Sequence, residues 1–247
     1  MPAVFVHGVP ETGALWNGVR AHLTGASVAV ELPGFGAPRP AGFGATKDEY
    51  AAWLAATLQS IDGPIDLVGH DWGAGLVLRV VSAFDVPLRS WAVDVAAVFA
   101  PDYVWHDMAQ VWQTRGLGEE RMVGMRNGRV AAMMESIGTP PADVATMRAA
   151  FDETMGDCIL ALYRSAVPNP YADWGAQLAG PLRGPGMVVQ PTADEYDDEA
   201  ASTSCAARWG ARVTRLDGLG HWWMLEDPGR SAAALTQFWS ACGDPAV

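Results

Sequence analysis

Short apolar, β-branched runs recur along the chain, each closed by glycine or proline and followed by residues at helical spacing. The run "AVFVHG" (3–8) leads into a predicted helix from Leu15 to Leu23. "SVAVELPG" (27–34) leads through a Gly/Pro-rich loop to the helical "KDEYAAWLAATLQSI", and "IDLVGH" (65–70) leads to "GAGLVLRVVSAF". The runs "SWAVDVAAVF" (90–99), "MVVQPTAD" (187–194) and "ARVTRLDG" (211–218) complete a predicted set of about six strands. Strands this apolar, alternating with helices, predict an α/β fold whose mostly parallel sheet is covered on both faces.

From about Pro101 to Arg183 the alternation stops, and the pattern is helical throughout, as in "PADVATMRAAFDETMGDCILALYRSA". The chain is thus expected to divide into a first core part (1–100), a helical insertion after the fourth strand (101–183) and a second core part (184–247). Seven of the ten methionines fall in the insertion, with Trp105, Trp112 and Trp174. A methionine stripe suits plain core packing, and it equally suits a wall that adapts to apolar ligands.

Composition narrows the function classes. A formal charge of −12 argues against nucleic acid and against anionic membrane surfaces as partners. Cys158, Cys205 and Cys242 are widely spaced and odd in number, which reads as free thiols in a reducing compartment rather than disulfides or a metal site. The N-terminal "MPAVFVHGVPETG" lacks the basic flank of a signal peptide, and no apolar run reaches membrane-spanning length, so a cytoplasmic location is expected.

Four stretches carry candidate chemistry. Gly69-His70-Asp71-Trp72-Gly73 lies between a predicted strand and helix, the setting of the Gly-x-nucleophile-x-Gly elbow, where small flanking residues permit a strained turn. At a helix N-terminus the dipole favours a negative Asp71; an aspartate that only caps the helix is the competing reading. In "HGVP" the backbone N–H of Val9, paired with that of Trp72, is a candidate oxyanion hole; His7 itself reads as structural. Asp194 closes the fifth strand, with Glu195, Asp197 and Asp198 beside it as competing carboxylates; Asp194 is preferred because it lies nearest the sheet edge. His221, flanked by Gly218 and Gly220, follows both carboxylates in the order nucleophile, acid, histidine.

The combination "HGVP", "LPGFGAP" (32–38), "GHDWGA" (69–74), "PTAD" and "GHWWMLEDP" (220–228) resembles the α/β-hydrolase family over nearly the whole chain, and within it the epoxide hydrolase and haloalkane dehalogenase branch. The resemblance implies Asp71 as nucleophile, His221 as base, Asp194 as its partner, and residues 101–183 as a cap over the pocket. It implies no metal and no cofactor. Family members carry a strand or two before the "HG" strand, and only six residues precede His7 here. The first hairpin of the sheet is therefore expected to be missing, leaving an edge for a partner subunit to cover in a homodimer.

Aspartate in place of serine changes the chemistry. A carboxylate can displace a leaving group at saturated carbon, forming an alkyl ester that a His221-activated water then hydrolyses. The implied substrate is a small apolar organic molecule, an epoxide in the first reading and an alkyl halide in the alternative; a non-hydrolytic ligand-binding or biosynthetic role is the third. Epoxide hydrolases use two cap tyrosines as hydrogen-bond donors. Tyr163 in "ALYRSAVPN" resembles the second, whereas the first position falls on Met108, with Tyr103 or His106 as substitutes. For a halide, Trp72 with Trp105 or Trp112 offers indole donors. Val9 stands where many dehalogenases carry an asparagine, and Trp72 and Gly75 stand where fluoroacetate dehalogenases carry arginines. Trp72, Tyr103, His106, Met108, Trp112 and Trp222 are the expected pocket residues.

Overall fold

The computed structural model describes residues 1–136 and 139–243, so residues 137–138 of the expected insertion and 244–247 of the expected second core part lie outside it. Six strands form one sheet: β1 (Ala3–Val6), β2 (Ser27–Val30), β3 (Ile65–Gly69), β4 (Leu88–Val93), β5 (Gly186–Pro191) and β6 (Arg212–Leu216). Their order is β2-β1-β3-β4-β5-β6 and every pairing is parallel. Inner strands β1, β3 and β5 are buried at every residue, which is why they read as continuous apolar runs. The edge strands are more open, each fully buried only at its last residue, and Val28 on β2 and Val213 on β6 are exposed. No strand precedes β1, and β2 forms one edge of the sheet among the described residues.

Two sequence expectations shift. The "SWAVDVAAVF" run is not one strand: β4 stops at Val93, Val95 adopts a left-handed φ of 39°, and Ala96–Phe99 form a 3-10 turn. The helix expected over Leu15 to Leu23 is a 3-10 turn, Gly13–Trp16, followed by a short helix, Asn17–Ala21; Asn17 and Gly18 are poor helix formers.

Because β1 connects to β2 on one side while β3 lies on its other, the chain reverses direction across the sheet between β1 and β3. The carboxyl ends of these two strands therefore open a crevice, the usual ligand position in open parallel sheets. Between β4 and β5 the chain is helical, including Asp107–Gln113, Leu117–Gly124, Pro141–Ala150 and Glu153–Arg164. The far end of this stretch is fastened to helix Lys47–Gln59: Lys47 Nζ meets Asp173 at 2.8 Å, the Trp174 indole donates to Asp48 at 2.8 Å, and the Lys47 amide donates to Ser165 Oγ at 2.8 Å.

Under the sheet, Trp91 of β4 is fully buried, packs edge-on to Trp209 and donates to the Arg183 carbonyl. Its ring passes so close to β5 that a Cβ on Gly186 would fall 2.1 Å from it, which explains glycine at the start of that strand. Trp91→Ala is expected to cost about 3–5 kcal/mol of folding stability by leaving a cavity, measured by urea unfolding.

Candidate active site

Asp71 sits in the turn from β3 into helix Trp72–Ala83 with φ 51° and ψ −122°. A non-glycine residue there stores roughly 1–3 kcal/mol of strain, so the surroundings must enforce it. A Cβ on Gly73 would lie 2.4 Å from the Val6 carbonyl oxygen, and one on Gly69 would lie 2.5 Å from the Gly73 oxygen. The glycines at both ends of the motif are thus required by backbone-to-backbone approach. The Asp71 amide donates to Asp94 Oδ1 at 2.9 Å.

The Asp71 side chain makes no capping bond to its helix, which removes the cap-only reading. Oδ1 instead accepts the Val9 N–H at 2.9 Å. The Trp72 amide lies beside the same carboxyl and favours its charge without a formed hydrogen bond, so of the two amides named from the sequence only that of Val9 binds it directly. Gly8 makes this approach possible, because a Cβ there would meet Asp71 Oδ1 at 2.4 Å. Burial pushes the Asp71 pKa up to about 6, against the pull of His221 and His70. Desolvation outweighs the helix dipole invoked from the sequence, yet Asp71 remains mostly ionised at neutral pH.

His221 Nδ1 is 2.9 Å from Asp194 Oδ2, leaving Nε2 for the cavity. Burial lowers the His221 pKa, but the Asp194 charge and hydrogen bond overcome it, and the net shift is upward. Asp194 is buried too, and His221 nevertheless draws its carboxyl below the usual range. Asp197 is engaged elsewhere: its oxygens accept from Ser202 Oγ at 2.6 and 2.7 Å and from the Ala97 N–H, and burial lifts its pKa to about 7. Geometry pairs His221 with Asp194. His7 has a structural place: Nδ1 donates to the Gly8 carbonyl, Nε2 accepts the Leu32 N–H, and burial drops its pKa to about 4.

Above Asp71 lies a mainly apolar cavity of about 170 Å³. The sheet side contributes Val9, Asp71, Trp72, His221 and Trp222, and the helical stretch contributes Tyr103, Trp105, His106, Met108, Trp112 and Tyr163. All six residues expected in the pocket line it. Tyr163 is buried among Trp72, Trp105 and Trp112, with ring centroids 4.8–5.3 Å away. Burial and the Asp71 charge keep its hydroxyl protonated, well above the usual range. His106 Nδ1 accepts the Ala109 N–H in capping helix Asp107–Gln113, which leaves the proton on Nε2; burial lowers its pKa and keeps it neutral at pH 7. The Trp105 indole is spent on the Ala166 carbonyl. The buried indole N–H of Trp112 has no hydrogen-bond partner among the described residues, and that of Trp72 is directed at the Tyr163 hydroxyl without reaching hydrogen-bonding geometry.

The sequence reading passed over Tyr196, whose ring lies 4.9 Å from that of His221. Its signal was there: Asp194 Oδ1 accepts the Tyr196 amide at 2.8 Å, an Asx turn that aims the residue two places after the acid. Arg121 and Met125 also line the cavity and went unnamed. No group of three or more side chains arranged to hold a metal ion occurs among the described residues, and no described helix is long and apolar enough to cross a membrane.

Comparison with known proteins comes to the same architecture. The sequence profile of the Alpha/beta hydrolase family matches residues 3–234. Cfl2 of Burkholderia cenocepacia superposes with a TM-score of 0.83 at 22% identity, over 96% of this chain and 87% of that one. An epoxide hydrolase from Vigna radiata gives 0.76 at 17% identity, over 97% and 91%. A haloalkane dehalogenase from Bradyrhizobium elkani gives 0.71 at 20% identity, over 97% and 91%. No curated protein matches the sequence.

Two neighbouring glycines should behave oppositely. Gly73→Ala must displace main-chain oxygens and is expected to lose about 3 kcal/mol or more. For Gly75→Ala the nearest neighbour is the Phe99 ring at 3.5 Å, and it should be neutral or up to about 1 kcal/mol stabilising through helix propensity. Thermal unfolding of both variants checks the pair.

Proposed function

This chain belongs to the Alpha/beta hydrolase family, and on that premise we propose that it hydrolyses epoxides through a covalent ester on Asp71. The observation that carries the reading is a carboxylate, not a hydroxyl, held on the strained turn with Oδ1 on the Val9 N–H. The free oxygen attacks an epoxide carbon; a C–O bond forms as the ring C–O bond breaks, and the alkoxide takes a proton from Tyr163, with the His106 Nε2–H as second donor. The Asp71 charge is one cause of the high Tyr163 pKa, so esterification makes Tyr163 more acidic at the moment its proton is needed.

Water then attacks the ester carbonyl carbon and gives a proton to His221 Nε2 while Asp194 holds the imidazolium. Negative charge gathers on the oxygen that already accepts the Val9 N–H, with the Trp72 amide beside the carboxyl as the second donor. Collapse breaks the bond to the alkyl oxygen, which leaves with the remaining water proton as the second hydroxyl of the diol; Asp71 is restored as a carboxylate, and the proton on His221 returns through water to the Tyr163 phenolate. An ordinary esterase would place the reacting carbonyl in the substrate; here it belongs to the enzyme.

A second reading rests on the indole N–H groups of Trp72 and Trp112, neither in a formed hydrogen bond. They suit a halide leaving group, which needs donors and no proton. Tyr163 and His106 favour the epoxide because they hold transferable protons.

His221→Gln should stop ester hydrolysis and leave an adduct of enzyme plus epoxide on Asp71, seen by intact mass after incubation with styrene oxide. No adduct with any substrate that the wild type turns over would overturn the covalent route. Tyr163→Phe should slow epoxide opening about 100-fold or more while sparing bromoalkane displacement; equal epoxide rates would remove Tyr163 as the acid. The alkylation step requires ionised Asp71, so its single-turnover rate should fall as pH drops through about 6.

A further inference from the structure

Beneath the elbow lie three charged side chains that the proposed chemistry does not use. Glu11, His70 and Asp94 are each fully buried and form a row. His70 Nδ1 stands 2.5 Å from Asp94 Oδ2, and His70 Nε2 faces Glu11 Oε1 at 3.4 Å, within ion-pair range though short of a formed hydrogen bond. A neutral imidazole would turn a lone pair on one of these carboxylates. Only the imidazolium presents N–H to both.

The two carboxylates also reach the three loops that carry the site. Glu11 Oε2 accepts the Gly8 N–H at 3.0 Å, adjoining the Val9 amide that holds Asp71, and Glu11 Oε1 accepts the Trp222 indole at 2.6 Å, next to His221. Asp94 Oδ1 accepts the Asp71 amide at 2.9 Å, and Asp94 Oδ2 accepts the Trp223 indole at 2.7 Å. The His70 ring itself lies 4.6 Å from the His221 ring.

We infer that Glu11, His70 and Asp94 are a second triad, a buried anion–cation–anion row that positions the amide loop, the Asp71 turn and the His221 loop against one another, and whose central cation sets the protonation of both Asp71 and His221. These are positioning residues, and the inference rests on the reading of Asp71 and His221 as the reacting pair. The groups facing His70 are Glu11 from the loop after β1, neutral His7 from the end of β1, Asp71 from its own turn, Asp94 from the end of β4 and His221 from the loop after β6. His221 in turn faces Asp194, Asp71, His70, Glu11 and neutral His106. In this set His70 pulls down the pKa of both Asp71 and His221, while Glu11 raises that of Asp71.

The test needs no substrate. In 15N-labelled protein, NMR titration should show both His70 nitrogens protonated from pH 5.5 to pH 9, and should report the midpoint of His221. His70→Gln should move that midpoint up and Glu11→Gln should move it down, each by at least about half a pH unit, since a unit charge at such distances acts strongly even when screened. Opposite signs distinguish a field from packing, because a purely structural role moves neither midpoint systematically. A singly protonated His70 at neutral pH, or shifts of the same sign or none, overturns the inference. Should His70→Gln fail to fold, the wild-type titration and Glu11→Gln still decide. If the titrations behave as expected while no epoxide is turned over, the chemistry falls and the triad stands; normal turnover with the wrong titrations gives the reverse.

Discussion

The hydrogen bond from the Val9 amide to Asp71 Oδ1 joins the loop after β1 to the loop after β3 and depends on almost everything around it. It requires two parallel strands side by side, a glycine before Val9 to admit the carboxylate, and a positive φ at Asp71 to aim it. None of these is cheap locally. The strain at Asp71 persists because Gly69 and Gly73 let backbone touch backbone, and because Asp94 holds the Asp71 amide from below. The sheet serves as a rigid frame for one carboxylate.

Around that frame, burial and charge oppose each other in a consistent way. Removing Asp71 from water raises its pKa, and the nearby imidazoles bring it back towards ionisation. His221 loses basicity to burial and regains it from Asp194. Such groups are stable inside a protein only when paired and hydrogen-bonded, and here the pairs are chained. Asp94 serves His70, Asp71 and Trp223 at once, and Glu11 serves Gly8, Trp222 and His70.

Much of this was readable in the chain. The inner strands announced themselves as unbroken apolar runs, and the glycines of "GHDWG" marked the tight turn, because burial on both faces and backbone contact leave no freedom of residue type. Val9, His221 and Asp194 could be named as candidates from their positions after strands, and the structure places them around Asp71. What escaped depends on long-range packing. Asp94 looked like part of a strand because nothing local shows the chain turning left-handed at Val95. Glu11 and His70, 59 residues apart, meet only once β1 and β3 are paired. Tyr196 was hidden in an acidic run where attention went to the carboxylates. The choice between Asp194 and Asp197 required the third dimension, since both follow β5 and only one faces His221.

Two cavity-lining indoles that lack a completed hydrogen bond among the described residues bear on selectivity. The N–H groups of Trp72 and Trp112 belong to residues that line an otherwise greasy chamber and are met by no carbonyl or carboxylate among the described residues. Both nitrogens are already shut off from solvent, so each is a donor left unsatisfied at a cost of about 1–3 kcal/mol, which an acceptor able to reach it would relieve. On the proposed reading, a plain hydrocarbon would leave that cost standing, whereas an oxygenated or halogenated relative would relieve it. Selection by one heteroatom rather than by size would then belong to the walls of the chamber as well as to its reacting groups.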